Sequence, residues 1–156
     1  MAIPENLNIA LLGLGRAGKF HIQSIQSIPG ISLRCVVDVD ESLARRLAKE
    51  LQCDYSTDAE WPLGQADIDA VIVASPTQEH YGQIITALDA GKPVFTEKPL
   101  GSTLEEIDTC FGLAKRNELP LLVGFNRRFD PSFSSLARGV KEGQVGVLQM
   151  LRVTSR

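Results

Sequence analysis

Short apolar runs alternate with amphipathic stretches of helical period along almost the whole chain, and few architectures satisfy that alternation. Leu7-Asn8-Ile9-Ala10-Leu11-Leu12 is an apolar run that stops at glycines, the pattern of a strand buried on both faces. Ile31-Ser32-Leu33-Arg34-Cys35-Val36-Val37, Ala70-Val71-Ile72-Val73-Ala74, Val94-Phe95 and Leu121-Leu122-Val123 read the same way. Between them, a helix is predicted from Arg16 to about Ile28, ended by Pro29-Gly30. A second helix over 41–52 carries Leu43, Ala44, Leu47, Ala48 and Leu51 on one stripe. Tyr81, Ile84, Ile85 and Leu88 mark a third, closed by Gly91, and Leu104, Ile107, Phe111 and Ala114 a fourth. The stretch 53–68 is less regular, with a short strand at Cys53-Asp54-Tyr55 and a turn at Pro62. Strands separated by helices of this length imply βαβ units, hence an α/β fold with a doubly wound parallel sheet covered by helices on both faces.

The tail follows another rhythm. Ser132 to Lys141 is predicted helical, Gly143 to Gly146 a turn, and residues 147–153 a strand with nothing after it to pair with. The expected division is a sheet domain over 1–130, and over 131–156 a connecting helix and the first strand of a truncated second domain. Such an unprotected terminal strand would favour dimerisation or aggregation.

Gly13-Leu14-Gly15-Arg16-Ala17-Gly18 is a G-x-G-x-x-G motif placed where it acquires meaning, after a strand and at the opening of a helix. The first glycine permits the tight turn, the second lets backbone approach a diphosphate, and the third lets helix and strand pack closely. The helix N-terminus favours the anion. Asp38 lies about 20 residues beyond Gly18, at the end of the second strand, where a carboxylate accepts hydrogen bonds from ribose hydroxyls. It would repel a 2′-phosphate, and Val39-Asp40-Glu41 offers no cation to receive one, so NAD is expected over NADP. This is a Rossmann-type reading. The bland alternative for Asp38, a cap on the next helix, is open equally to Asp40 and Ser42.

Further candidates fall at other strand ends, where open α/β sheets bind ligands. Lys98, in Glu97-Lys98-Pro99, could bond a substrate hydroxyl and stabilise a developing alkoxide, or be an ordinary surface lysine. Ser75, Pro76 and Thr77 could line the cofactor's ribose and ring, or cap the helix that follows. His80, one turn further on, is alone more often a polar surface residue than a proton carrier. Arg127 and Arg128 continue the last strand and suit either an anionic cofactor or surface ion pairs.

Charge and cysteines narrow the class. Sixteen basic against 19 acidic side chains give a net charge of −3, and no basic run is longer than a pair such as Arg127–Arg128, so nucleic acid is not an expected partner. Cys35, Cys53 and Cys110 lack metal-type spacing and read as reduced thiols of a cytoplasmic protein. No apolar stretch is long enough for a transmembrane helix, and the N-terminus does not resemble a secretory signal.

Together, Gly13–Gly18, Asp38, Ala74-Ser75-Pro76-Thr77, Glu97-Lys98-Pro99 and Gly124-Phe125-Asn126-Arg127-Arg128-Phe129-Asp130 resemble the glucose–fructose oxidoreductase/inositol dehydrogenase family, in order and spacing along almost the whole chain. Within it, the run from Asn126 to Phe133 looks most like inositol 2-dehydrogenases. The resemblance implies NAD-dependent oxidation of a polyol ring hydroxyl, myo-inositol first. It implies Lys98 at the reacting hydroxyl, Glu97 beside the nicotinamide ribose, Arg127 near cofactor or substrate, and a cis bond before Pro99. Gly13, Gly15, Arg16, Ala17, Gly18, Asp38, Ser75, Pro76, Thr77 and His80 complete the expected cofactor set. Family members are expected to be homo-oligomers through a second domain, which also carries their general base, a histidine four residues after an aspartate. Here the histidines are His21 and His80; Pro76 stands four before His80, and His21 has no acid at that spacing. The chain by itself is therefore expected to bind cofactor and to turn over polyol very slowly. The competing expectation is a stand-alone NAD-binding regulatory module without catalysis.

Overall fold

The computed structural model describes residues 6–154 and divides into two compact units, Met1–Gly124 and Phe125–Arg156. The first holds six strands, β1 (Leu7–Leu12), β2 (Ile31–Val37), β3 (Asp54–Ser56), β4 (Ala70–Val73), β5 (Val94–Thr96) and β6 (Leu121–Val123). Its helices are α1 (Arg16–Ser27), α2 (Glu41–Leu51), α3 (Thr77–Asp89) and α4 (Leu104–Arg116), with a 3-10 turn at Trp61–Gly64. All strand pairs are parallel, in the order β3-β2-β1-β4-β5-β6. The order reverses between β1 and β4, which makes the crevice above those two strands the switch point where such sheets take ligands.

The period-2 alternation of the strands sorts the core into two layers. Ala10, Leu12, Cys35, Val37, Val71 and Val73 face α3 and α4, meeting Ile84, Leu88, Cys110 and Leu113. Leu11, Val36 and Ala74 face the other way, toward Ile22 of α1 and Ala44 and Ala48 of α2. Leu11, Leu12, Val36, Val71 and Val73 are essentially fully buried, each such side chain stabilising by roughly 1.5–3 kcal/mol. The apolar runs are continuous because the sheet is covered on both sides. Where α2 starts, Asp40 is the cap, accepting from Leu43 N–H at 3.1 Å. At α4, Thr103 and Glu106 close a reciprocal capping box.

The second unit contains a 3-10 turn at Asn126–Phe129 and α5 (Pro131–Lys141), capped by Asp130, which accepts from Ser132 and Phe133 N–H at 2.9 and 3.2 Å. Its helix is the expected one. Its strand is not: residues 147–153 form no strand, and Val147, Met150 and Leu151 are exposed. An apolar run becomes a strand only when a neighbour takes up its N–H and C=O groups, and no described segment does so here. The unit boundary after Gly124 falls at the end of β6, ahead of the 130/131 division expected from the sequence.

Candidate dinucleotide site

Strand register brings the sequence motifs into one row. Val37, Leu12, Val73, Thr96 and Val123 are aligned across the sheet, so Asp38, Gly13, Ala74, Glu97 and Gly124 follow one another along its carboxyl edge. The ladder continues one residue past the strands: Gly13 N–H donates to Val37 O at 2.8 Å, Ala74 N–H to Leu12 O at 2.7 Å, Glu97 N–H to Val73 O at 2.9 Å and Gly124 N–H to Thr96 O at 2.8 Å. The residues singled out in the first unit thus leave a rigid edge together.

The three glycines are distinguished by what surrounds them. Gly13 sits at φ +93°, and a Cβ there would lie 2.5 Å from Ser75 N and 2.6 Å from Ala74 C. A Cβ on Gly18 would collide with the Gly13 carbonyl. Both glycines are demanded by the protein's own packing. Gly15 is different: a Cβ there would meet nothing within 4 Å. It is the N-cap of α1, with no side chain to satisfy the first-turn donors and no acidic residue in that turn. Helices α2, α4 and α5 are all capped by side chains, whereas α1 and α3 begin without one, and both begin in loops of this edge. The first intrahelical bond runs from Lys19 N–H to Gly15 O, so the N–H groups of Gly15, Arg16 and Ala17 have no partner further back in the helix. A diphosphate fits that open ground.

Asp38 is held ready beside it. Its Oδ2 accepts from Leu14 N–H at 2.8 Å and its Oδ1 from Asp40 N–H at 3.0 Å. Two bonds leave a carboxylate further acceptor capacity on each oxygen, enough for two vicinal ribose hydroxyls. The capping alternative is closed, since Asp40 caps α2. Between β1, β2 and β4 lies a cleft of about 330 Å³ lined by Gly13, Asp38, Val39, Ser75, Pro76 and Glu79, among others. Val39 is 93% exposed over it, an apolar side chain that an adenine could cover. Val39, Thr57, Glu79 and Gln83 line the cleft without having been singled out; only the closeness of Val39 to Asp38 could have marked one of them. A larger hollow of about 550 Å³ along β3 and α2, lined by residues including Arg45, Lys49, Tyr55 and Trp61, involves none of the motifs.

Ser75 and Thr77 do not cap α3. Its N-cap is Pro76, without a side-chain bond, and Ser75 Oγ donates to Gln83 Oε1 at 2.7 Å. Pro76 is exposed in the cleft and Thr77 half-buried at the helix start. His80 is no surface residue. It is 1% exposed, with Nδ1 2.6 Å from Pro99 O and Nε2 2.9 Å from Ser75 O, leaving no ring nitrogen for a cofactor. The Lys98–Pro99 bond is cis. The Lys98 side chain is exposed, and among the described residues its ammonium has no partner. Glu97 is half-buried and bonded through Oε1 to His21 Nε2 at 2.9 Å, while the His21 ring meets Phe95 edge-on at 5.4 Å. His21 thus has an acidic partner after all, reached across the fold and not along its helix. Arg16 and Ala17 open α1, the arginine exposed. Arg127 lies in the second unit, its guanidinium 5.0 Å from the Phe133 ring centre.

The three thiols lie away from this edge. Burial raises Cys35 to about 12 and Cys53 and Cys110 to about 11, which keeps all three protonated and inert.

The model of the GFO_IDH_MocA family, an oxidoreductase family with an NAD-binding Rossmann fold, matches residues 7–125. The chain belongs to this family. Among curated relatives, scyllo-inositol 2-dehydrogenase (NAD(+)) of Bacillus subtilis is 40% identical over 144 residues, covering 91% of this chain and 42% of the relative. Inositol 2-dehydrogenase of Rhizobium meliloti is 34% identical over 150 residues, covering 96% and 45%. The crystal structure of scyllo-inositol dehydrogenase from Lactobacillus casei with bound NAD(H) and scyllo-inositol superposes with a TM-score of 0.84 at 35% identity, over 90% of this chain and 42% of that one. The chain thus spans less than half the length of these relatives. Among the described residues no helix is long and apolar enough to cross a membrane.

Proposed function

We propose that this chain is the cofactor-binding portion of an NAD-dependent dehydrogenase acting on a ring hydroxyl of a polyol, an inositol being the first candidate. The observation that carries the reading is the pairing of Gly15 with Asp38: an uncapped helix start with open space in front of it, and beside it a carboxylate fixed by the N–H of that same loop. The N–H groups of Gly15, Arg16 and Ala17 hold the diphosphate, Asp38 takes the adenosine ribose, and Val39 lies under the adenine. Because Asp38 fixes the adenosine half on the β2 side of the switch point, the other half lies over β4 and β5, against Ser75, Pro76 and Thr77 and beside Glu97. NAD, when bound, supplies the acceptor for a hydride. Lys98 donates a hydrogen bond to the reacting hydroxyl oxygen and stabilises the negative charge that develops there. Its exposure and lack of partners suit a group that must meet a substrate.

Among the described residues no histidine stands free in this site to take the hydroxyl proton. His21 is engaged by Glu97, and His80 is buried between two carbonyls. The inositol dehydrogenase relatives extend over more than twice the matched length, room enough for a substrate domain supplying base, enclosure and oligomer contacts. Loss of a general base typically lowers rate 10²–10⁴-fold, so this chain alone turns over polyol negligibly.

Calorimetric titration tests the reading. NAD is expected to bind much more tightly than NADP, whose 2′-phosphate would face Asp38 with no cation at Val39, Asp40 or Glu41. Equal affinities would contradict the ribose assignment. Robust myo-inositol oxidation at neutral pH would contradict the account of the base.

A further inference from the structure

The chain has two histidines, and both reach the same three-residue turn. His21 comes from α1, on one face of the sheet, and binds the Glu97 carboxylate at 2.9 Å. His80 comes from α3, on the other face, and its Nδ1 lies 2.6 Å from the carbonyl of Pro99. The two contacts flank Lys98, one on the residue before it and one on the residue after. His80 has a second attachment, its Nε2 being 2.9 Å from the carbonyl of Ser75, in the loop after β4. A single buried ring therefore sits between the β4 loop and the β5 turn. A neutral ring satisfies one of those carbonyls as a donor and an imidazolium both; in either state the ring is committed to backbone.

We propose that His21 and His80 are positioning residues that lock the Glu97–Lys98–Pro99 turn from opposite faces of the sheet, fixing the Lys98 backbone relative to the Ser75–Pro76 wall while its ammonium stays free. This rests on the cofactor reading above, in which that wall and turn flank the nicotinamide half. A site built this way holds its reacting group by the rigidity of neighbours, as effective catalytic geometry requires. Neither histidine lines the cleft beside Asp38 and Val39, and both bond the turn assigned to the nicotinamide half, so the two halves of the cofactor should respond differently to their loss.

The experiment compares NAD with ADP, which carries only the adenosine and diphosphate groups, on the full 156-residue chain. His80→Ala and His21→Ala are each expected to weaken NAD about five-fold, the effect of one hydrogen bond, while ADP affinity stays within two-fold. His80→Asn, whose amide N–H falls where Nδ1 sits, is expected to restore most of the NAD loss. Equal weakening of NAD and ADP, or no change in NAD, overturns the proposal. If His80→Ala does not fold, the His21→Ala and His21→Gln pair carries the same test, since that side chain is partly exposed and lies outside the core. A wild-type chain that binds neither ADP nor NAD would overturn the cofactor reading and this proposal with it. Wild-type binding with an unchanged NAD-to-ADP ratio in the variants overturns this proposal alone.

Discussion

A methyl group added at Gly13 would meet the backbone of Ser75 at 2.5 Å, whereas one added at Gly15 would meet nothing. The same motif therefore mixes a folding constraint with a binding constraint, and substitution separates them. Gly13→Ala is expected to destabilise by roughly 2–5 kcal/mol, from the positive φ and the clash together. Gly15→Ala should change stability by no more than about 1 kcal/mol and weaken NAD at least ten-fold. Denaturant melts alongside calorimetry distinguish the two; an unfolded Gly15→Ala chain would refute the division. In the proposed reading Asp38 carries both roles at once. Asp38→Ala removes the proposed ribose acceptor and also frees Leu14 N–H, so NAD affinity should fall about ten- to a hundred-fold, the range for hydrogen bonds to a charged group. Asp40 belongs to folding alone. The Ser42 hydroxyl, then Leu43 N–H, hold its carboxyl below the ordinary value of 3.8. A lowered carboxylate contributes stability that is present above its unfolded value and lost as pH falls through its folded one. Asp40→Ala should thus lower the melting temperature at neutral pH, with the difference shrinking below about pH 3.8.

Helix caps at the element level repeat this division of labour. Thr103→Ala breaks the capping box of α4 and is expected to cost about 1 kcal/mol with no effect on NAD affinity, because α4 does not open into the cleft. A loss of affinity in that variant would show that the site is less local than its register row implies. The elements were largely legible in advance, and for a physical reason. A parallel sheet covered on both faces needs continuous apolar strands and amphipathic crossovers, and both leave a period in the sequence. The placement of Gly13–Gly18 and Asp38 at the sheet edge was legible because it follows from position along the chain, after β1 and β2. Residues 147–153 form no strand in the structure, because strand formation depends on a partner, which that run cannot reveal by itself. The surroundings of His21 and His80 were hidden for a related reason. Glu97 is 76 residues from His21 and Pro99 is 19 from His80, so spacing within a helix says nothing of them. Cleft walls such as Glu79 and Gln83 are generic helix residues until the register places them.

For the molecule as a whole, the thiols report on the integrity of the core. With burial holding Cys35 at about 12 and Cys53 and Cys110 at about 11, alkylation at pH 8 should be slow in the native chain and track global unfolding as denaturant is added. Rapid labelling of Cys35 in native buffer would contradict its burial. These raised values contribute stability fully present below the ordinary thiol value of 9.0, and lost as pH rises from there toward about 12, so the chain should become less stable across that alkaline range. The central claim concerns where the cofactor lies: diphosphate on the first turn of α1, adenosine ribose on Asp38, nicotinamide half over β4 and β5. The most direct measurement is the structure of this chain crystallised with NAD. The account predicts diphosphate oxygens within hydrogen-bond distance of the N–H groups of Gly15 to Ala17 and both ribose hydroxyls on the Asp38 carboxylate. NAD bound along β3 and α2, or with its ribose turned away from Asp38, would contradict it.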